Sequence, residues 1–118
     1  MPETMDAWVI RKEREGEPTD AFQIEQMAVP EPGAFEVIVR VMAAGVNYNN
    51  VWAALGEPVS VFRYHAEDHH IGGSDASGIV ERVGPGVTAW KPGDRVAGIF
   101  MQNWLDGPLT PCNSTLTT

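Results

Sequence analysis

Side chains able to do chemistry gather at three places in this chain. The first is Asn47-Tyr48-Asn49-Asn50, four hydrogen-bonding residues directly after the most apolar run in the sequence. Amide and phenol groups orient a carbonyl or a ring without adding charge, and the end of a strand is a favoured position for ligand contacts. The local alternative is that one of these asparagines caps the helix that follows. The second place is His65, Asp68, His69 and His70, whose imidazoles and carboxylate are of the type that binds zinc. Adjacent histidines point to opposite faces of an extended segment, and no second His or Cys cluster completes four ligands. Packed, hydrogen-bonded histidines are therefore expected, and no metal is assigned. The third is Gly73-Ser74-Asp75-Ala76-Ser77 beside His69 and His70, where a hydrolase relay is conceivable. A nucleophile elbow needs a glycine two places after its serine, and Ala76 stands there instead.

A further motif, Gly84-Pro-Gly86-Val-Thr-Ala89, matches the G-x-G-x-x-A form of a dinucleotide fingerprint and follows a strand. That fingerprint works only where a helix begins at the glycines and aims its N-terminus at a pyrophosphate. Pro92-Gly93 would break such a helix within about two turns, so a plain strand-to-strand turn is expected.

The elements that must position these groups are mostly strands. Ala7–Ile10 reads as a short strand, followed by a turn at Gly16-Glu17-Pro18. Phe22–Val29 alternates apolar and polar residues as a half-buried strand does. Glu36–Gly45 is β-branched and apolar on both faces, which predicts a long, well-buried strand. Asn49–Leu55 predicts a helix of about two turns, stopped by Gly56 and Pro58. Val59–His70 reads as a loop with some ordered structure. Ser77–Val83 and Arg95–Phe100 are strands, with turns at Gly84-Pro-Gly86 and Lys91-Pro-Gly-Asp94. Short strands joined by Gly/Pro turns, with one brief helix, indicate a mainly β fold, a barrel or a sandwich.

The whole chain has 118 residues, room for one domain and not for two. No apolar run approaches the roughly 20 residues of a membrane span. The formal charge of −8 disfavours nucleic acid and anionic lipid as partners. The acid is uneven: residues 1–36 hold nine Asp/Glu against three Lys/Arg, while 37–99 hold six against five. The single cysteine, Cys112, cannot form an internal disulfide, and the N-terminus lacks the features of a signal peptide. A soluble protein of the cytoplasm is expected. The segment after Met101 is less periodic, and Asn113–Thr118 reads as frayed.

Three runs, Val41–Leu55, His69–Val80 and Val83–Val96, fall in an order and spacing that resembles the N-terminal, GroES-like catalytic domain of the medium-chain dehydrogenase/reductase superfamily. Within it, Val46-Asn-Tyr-Asn49, Phe62-Arg-Tyr-His65 and His69-His-Ile-Gly-Gly-Ser-Asp-Ala-Ser-Gly78 are similar to the crotonyl-CoA carboxylase/reductases. The resemblance implies a partly open β-barrel with one or two short helices over residues 1–100. Residues 101–118 are then a divergent tail, more like zinc-free alcohol dehydrogenase and quinone reductase-like members over Met101–Pro111, with no Rossmann domain. Zinc alcohol dehydrogenases carry Cys where this chain has Asn47, and His-Glu where it has Ser74-Asp75. The four-cysteine structural zinc lobe is absent, since Cys112 stands alone. The resemblance is therefore to the zinc-free branch.

In that branch NADPH delivers hydride to the β-carbon of an α,β-unsaturated thioester, and the enolate is protonated or captured by carbon dioxide. The resemblance implies that Asn47, Tyr48, Asn49 and Asn50 line the substrate cleft, with Asn47 on the nicotinamide side. It implies an acyl-CoA-type small molecule as ligand and a substrate-side domain that is not catalytically competent alone and binds NADPH weakly. Homo-oligomerisation, or association with a separate Rossmann-domain chain, is the expected partnership. The alternative is a non-enzymatic GroES-like module that self-associates or binds another chain, and whether this chain alone is an enzyme stays open.

Overall fold

A computed structural model describes residues 3–64, 66–99 and 106–108. His65, Phe100, Met101–Leu105 and Leu109–Thr118, including Cys112 and the frayed end expected at Asn113–Thr118, lie outside the described residues. In chain order the elements are β1 (Thr4–Arg11), α1 (Pro18–Ala21), β2 (Phe22–Ala28), β3 (Val37–Ala43), α2 (Tyr48–Leu55), β4 (His69–Ile71), β5 (Ser77–Val83) and β6 (Arg95–Ala97). Single 3-10 turns occur at Lys12–Arg14 and Val61–Arg63. The expected class holds: mainly strand, with two helices. The described strands form two open three-stranded sheets, β2-β1-β4 and β3-β5-β6, in keeping with a partly open barrel. The chain divides into two compact units, residues 1–29 with 46–73, and residues 30–45 with 74–118.

The first unit carries the sheet β2-β1-β4. β1 and β2 run antiparallel with Thr4 opposite Ala28 and Ile10 opposite Phe22, and β4 pairs antiparallel with the end of β1. Ile10 is fully buried against Ala21 of α1 and Ala54 of α2, with Phe22, Ala53 and Phe62 packed around them. Burying such a side chain contributes roughly 1.5–3 kcal/mol. On the strand face opposite Ile10, Glu25 is gripped by two arginines: Arg11 reaches it at 2.7 Å and Arg14 at 3.0 Å.

The second unit carries β3-β5-β6, in which β5 lies between two antiparallel neighbours. Val80 of β5 is 1% exposed and centres this unit. Close backbone approach holds it together. A Cβ at Gly78 would lie 2.1 Å from the Arg40 carbonyl oxygen, and one at Gly84 would lie 1.9 Å from that of Gly33. The Gly84 amide donates to the Glu36 carbonyl at 2.7 Å. The glycine of the fingerprint-like run is thus consumed in packing one turn on another. No helix follows it, as the turn reading required.

Four expectations need correction. The strand expected over Glu36–Gly45 is not well buried: β3 is shorter, Val37–Val39 are half-buried and Arg40–Ala43 exposed. Among the described residues β3 has only β5 as a neighbour in its sheet, and β-branched composition reports a preference for strand, not cover. Ile24 of β2 and its cross-strand partner Trp8 are 59% and 57% exposed, so the apolar face of that alternation is uncovered at this point. The loop expected from Val59 to His70 has ordered structure in the 3-10 turn, as read, but ends two residues early, since His69 and His70 open β4, a strand too short to show a period. The turn at Gly16–Pro18 leads into α1, with Pro18 in the first helical turn, where its fixed φ suits a helix start.

Candidate functional site

The run Asn47–Asn50 is placed by α2, which belongs to the first unit. Ala54 on the inner side of α2 is fully buried in the cluster around Ile10, which fixes the roll of the helix. Gly56 ends it in the left-handed conformation at φ +72°, where its N–H donates to the Trp52 carbonyl. The Gly16 N–H donates to the Ala54 carbonyl at 2.7 Å and ties this end down. With the helix so held, Asn47 and Tyr48 are exposed, while Asn49 and Asn50 are half-buried.

The helix begins at Tyr48, one residue earlier than expected, and Asn47 occupies the N-cap in an extended conformation. No side chain caps it; the local bond is from the Asn50 N–H to the Asn47 carbonyl at 3.0 Å. The capping alternative for Asn47 is therefore corrected: its side chain makes no cap bond. Tyr48 and Trp52, one turn apart, meet edge to face with ring centroids 5.6 Å apart. Both rings are more than half exposed. The four residues thus present neutral amides beside an aromatic pair on one helix.

Asp68 is bonded to Arg11 at 3.3 Å and to His69 at 3.2 Å. Its carboxyl is held below the usual range, first by the His69 bond. His69 and His70 are successive residues of β4, opposite Arg11 and Ile10 of β1. His65 lies outside the described residues. Among the described residues no group of three or more His, Cys, Asp or Glu is placed to hold a metal.

Ser74 is buried, 8% exposed, and its neighbour Asp75 accepts the Gly45 N–H at 2.6 Å. Asp75 was met in sequence in the hydrolase-like run and beside Ser74, but its bond to the Gly45 amide was missed, since no short spacing signals it. Asp75 opens onto a hollow of about 430 Å³ in the second unit, lined otherwise by Ala43, Ala44, Gly45, Ala76, Ser77, Ala97 and Gly98. The hollow is shallow and largely open to solvent, unlike an enclosed ligand pocket. Every described strand pairing is antiparallel, and no strand-turn-helix occurs at Gly84–Ala89. The described residues therefore form no cradle for a dinucleotide pyrophosphate.

Against known proteins, the chain is similar to a crotonyl-CoA carboxylase/reductase of Cereibacter sphaeroides, with 53% identity over 96% of this chain and 26% of that protein. A solved crotonyl-CoA carboxylase/reductase superimposes with a TM-score of 0.85 at 53% identity, over 96% of this chain and 26% of the other. A 2-octenoyl-CoA carboxylase reductase, solved with NADP and 2-octenoyl-CoA, gives 0.75 at 34% identity over 82% of this chain and 26% of its own. The chain spans about a quarter of the length of the curated relatives it matches. The model of the alcohol dehydrogenase GroES-like domain matches residues 33–116, from the Gly33 turn through all of β3, α2, β5 and β6. With more than two thirds of its residues matched, the chain belongs to the alcohol dehydrogenase GroES-like domain family.

Proposed function

We propose that this chain supplies the substrate side of an NADPH-dependent enoyl-thioester reductase of the crotonyl-CoA carboxylase/reductase kind. The observation that carries the reading is 53% identity sustained over 96% of the chain. Neutral residues, Asn47 and Ser74, stand where zinc alcohol dehydrogenases carry metal ligands, which supports a reaction without zinc. Asn47, Tyr48, Asn49 and Asn50 then face the acyl thioester. An asparagine amide that donates to the thioester carbonyl binds the ground state modestly. It binds the enolate more strongly, because negative charge develops on the same oxygen. Because the described residues form no pyrophosphate cradle, they hold NADPH weakly and no hydride step is assigned to them. A cytoplasmic location goes with this reading.

The test is titration of the chain with crotonyl-CoA, with and without NADPH, while following the side-chain amide resonances of Asn47, Asn49 and Asn50. Crotonyl-CoA is expected to move these resonances, without turnover by the chain alone and without bound zinc on metal analysis. Amides that ignore the thioester defeat the substrate reading; turnover by the chain alone defeats the reading of incompetence.

A second reading, a module that associates with another copy of itself, is supported by the exposure of large apolar side chains. Val46 is 95% exposed, Phe35 79% and Tyr64 77%. Exposed apolar side chains favour association where they adjoin in one patch. Sedimentation is expected to show dimers or larger species, and a monomer at high concentration overturns it.

A further inference from the structure

The segment between β1 and α1 holds the sheet of the first unit with one residue and the end of α2 with the next two. Arg14 donates to the Val9 carbonyl at 3.0 Å, to Glu25 of β2 at 3.0 Å and to the Ala21 carbonyl at 3.4 Å. Beside it, the Gly16 N–H donates to the Ala54 carbonyl of α2 at 2.7 Å. The Glu15 carboxylate accepts the Ser60 hydroxyl at 2.5 Å. It also lies against the helix stop, where a Cβ at Gly56 would fall 2.3 Å from Glu15 Oε1 and 2.6 Å from the carboxyl carbon. Ser60 in turn accepts the Phe62 N–H at 3.3 Å, and Phe62 packs on the buried cluster of Ile10, Ala21 and Ala54. All of these residues belong to the first unit, as do Asn47–Asn50.

The C-terminus of a helix carries partial negative charge, so a carboxylate beside Gly56 opposes the macrodipole of α2, and a lysine there would suit the helix better. Helix stability therefore does not account for the acid. What the side chain does supply is a second point of attachment. Ala54 fixes the roll of α2, whereas a bond that reaches past the helix end to Ser60 restrains its tilt. α2 has eight residues, an axis of about 12 Å, and a rigid helix of that length carries a tilt at Gly56 to its other end at Asn47.

We propose that Glu15 is a positioning residue for α2: seated on Gly56 and bonded to Ser60, its carboxylate sets the tilt of the helix and with it the placement of Asn47–Asn50. The functional weight of the inference rests on the proposed substrate role of that run, whereas the seat itself does not.

Resonances and amide exchange of the full chain test it in E15A, E15Q and E15D. Glu15 is exposed, so none of these substitutions empties a core. In E15A the Gly16 amide is expected to exchange about threefold faster or more, the order expected for losing one exposed hydrogen bond to a charged group. The side-chain resonances of Asn47, Asn49 and Asn50 and the ring resonances of Tyr48 and Trp52 shift with it, while the β1 and β2 amides stay protected and report an intact sheet. E15Q keeps the reach and an acceptor oxygen, so these signals return most of the way toward wild type. E15D keeps the charge but is one methylene short, and it resembles E15A. Asparagine and ring resonances that stay in place in E15A overturn the proposal, and so does recovery in E15D as complete as in E15Q. If E15A loses protection in β1 and β2, the contrast between E15Q and E15D decides the matter. Crotonyl-CoA binding weakens in E15A and recovers in E15Q; an E15A chain that binds it as wild type does, with its asparagines shifted, overturns the positioning role. A wild-type chain whose asparagines ignore crotonyl-CoA defeats the proposed function and leaves the seat standing.

Discussion

In the first unit the strands are tied by charged side chains, whereas in the second they are tied by backbones too close to admit a side chain. Glu25 bonds two arginines, and the side chains of Arg11 and Glu25 are each only 26% exposed. In the second unit the shortest ion pairs are more open: Glu31 beside Arg82 is 78% exposed and Lys91 beside Asp94 is 80% exposed. There the close contacts are instead at Gly78 and Gly84, against the carbonyls of Arg40 and Gly33. Half-buried charge is sensitive to protonation, and close backbone approach is sensitive to added atoms. The two halves of one small chain should therefore fail under different insults.

The largest effect is expected at Gly84. In Gly84→Ala the new Cβ meets a carbonyl oxygen that backbone holds in place, so the turn must open, at a cost of about 3 kcal/mol or more. Thermal melts followed by circular dichroism check this, and a variant as stable as wild type breaks the contrast between the units.

A smaller, pH-dependent effect is expected at Glu25. The Arg11 bond first, and the Arg14 bond second, hold its carboxyl down from the ordinary 4.5 to about 2. The carboxylate therefore stabilises the fold fully above pH 4.5, and this contribution is lost as pH falls through about 2. Glu25→Gln lowers the melting temperature at neutral pH, and the gap from wild type closes between pH 4.5 and 2. A gap that stays constant through this window removes Glu25 as the acid-sensitive tie.

The smallest effect is expected at Lys91. Its ammonium pairs with Asp94 at 2.8 Å three residues away, yet its side chain is 80% exposed, and such surface pairs contribute little. Lys91→Met is expected to leave the melting temperature unchanged within error. A clear drop would show that charge ties the second unit as well.

Much of this was legible in the residues themselves. β2 and β5 were expected within a residue of their ends, and Pro92-Gly93 helped separate the turn at Gly84–Gly86 from a nucleotide loop. The helix at Asn49–Leu55 was legible from its formers and from Gly56. The misses share one cause. α1 and β4, of four and three residues, are shorter than any period that sequence can display. β4 exists because β1 offers it a pairing edge, and that is a long-range fact. The exposure of Val41 and Met42 was unreadable for the same reason, since apolar composition does not say what lies opposite.

The sequence by itself determined the strand-and-turn character, the family resemblance and the neutral residues Asn47 and Ser74, because these depend on residue type and short spacing. Only the tertiary structure decided that Glu25 lies under two arginines and that Asp75 reaches the Gly45 amide. Those pairs are 11, 14 and 30 residues apart, and no local preference carries information over such distances; folding alone brings the partners together.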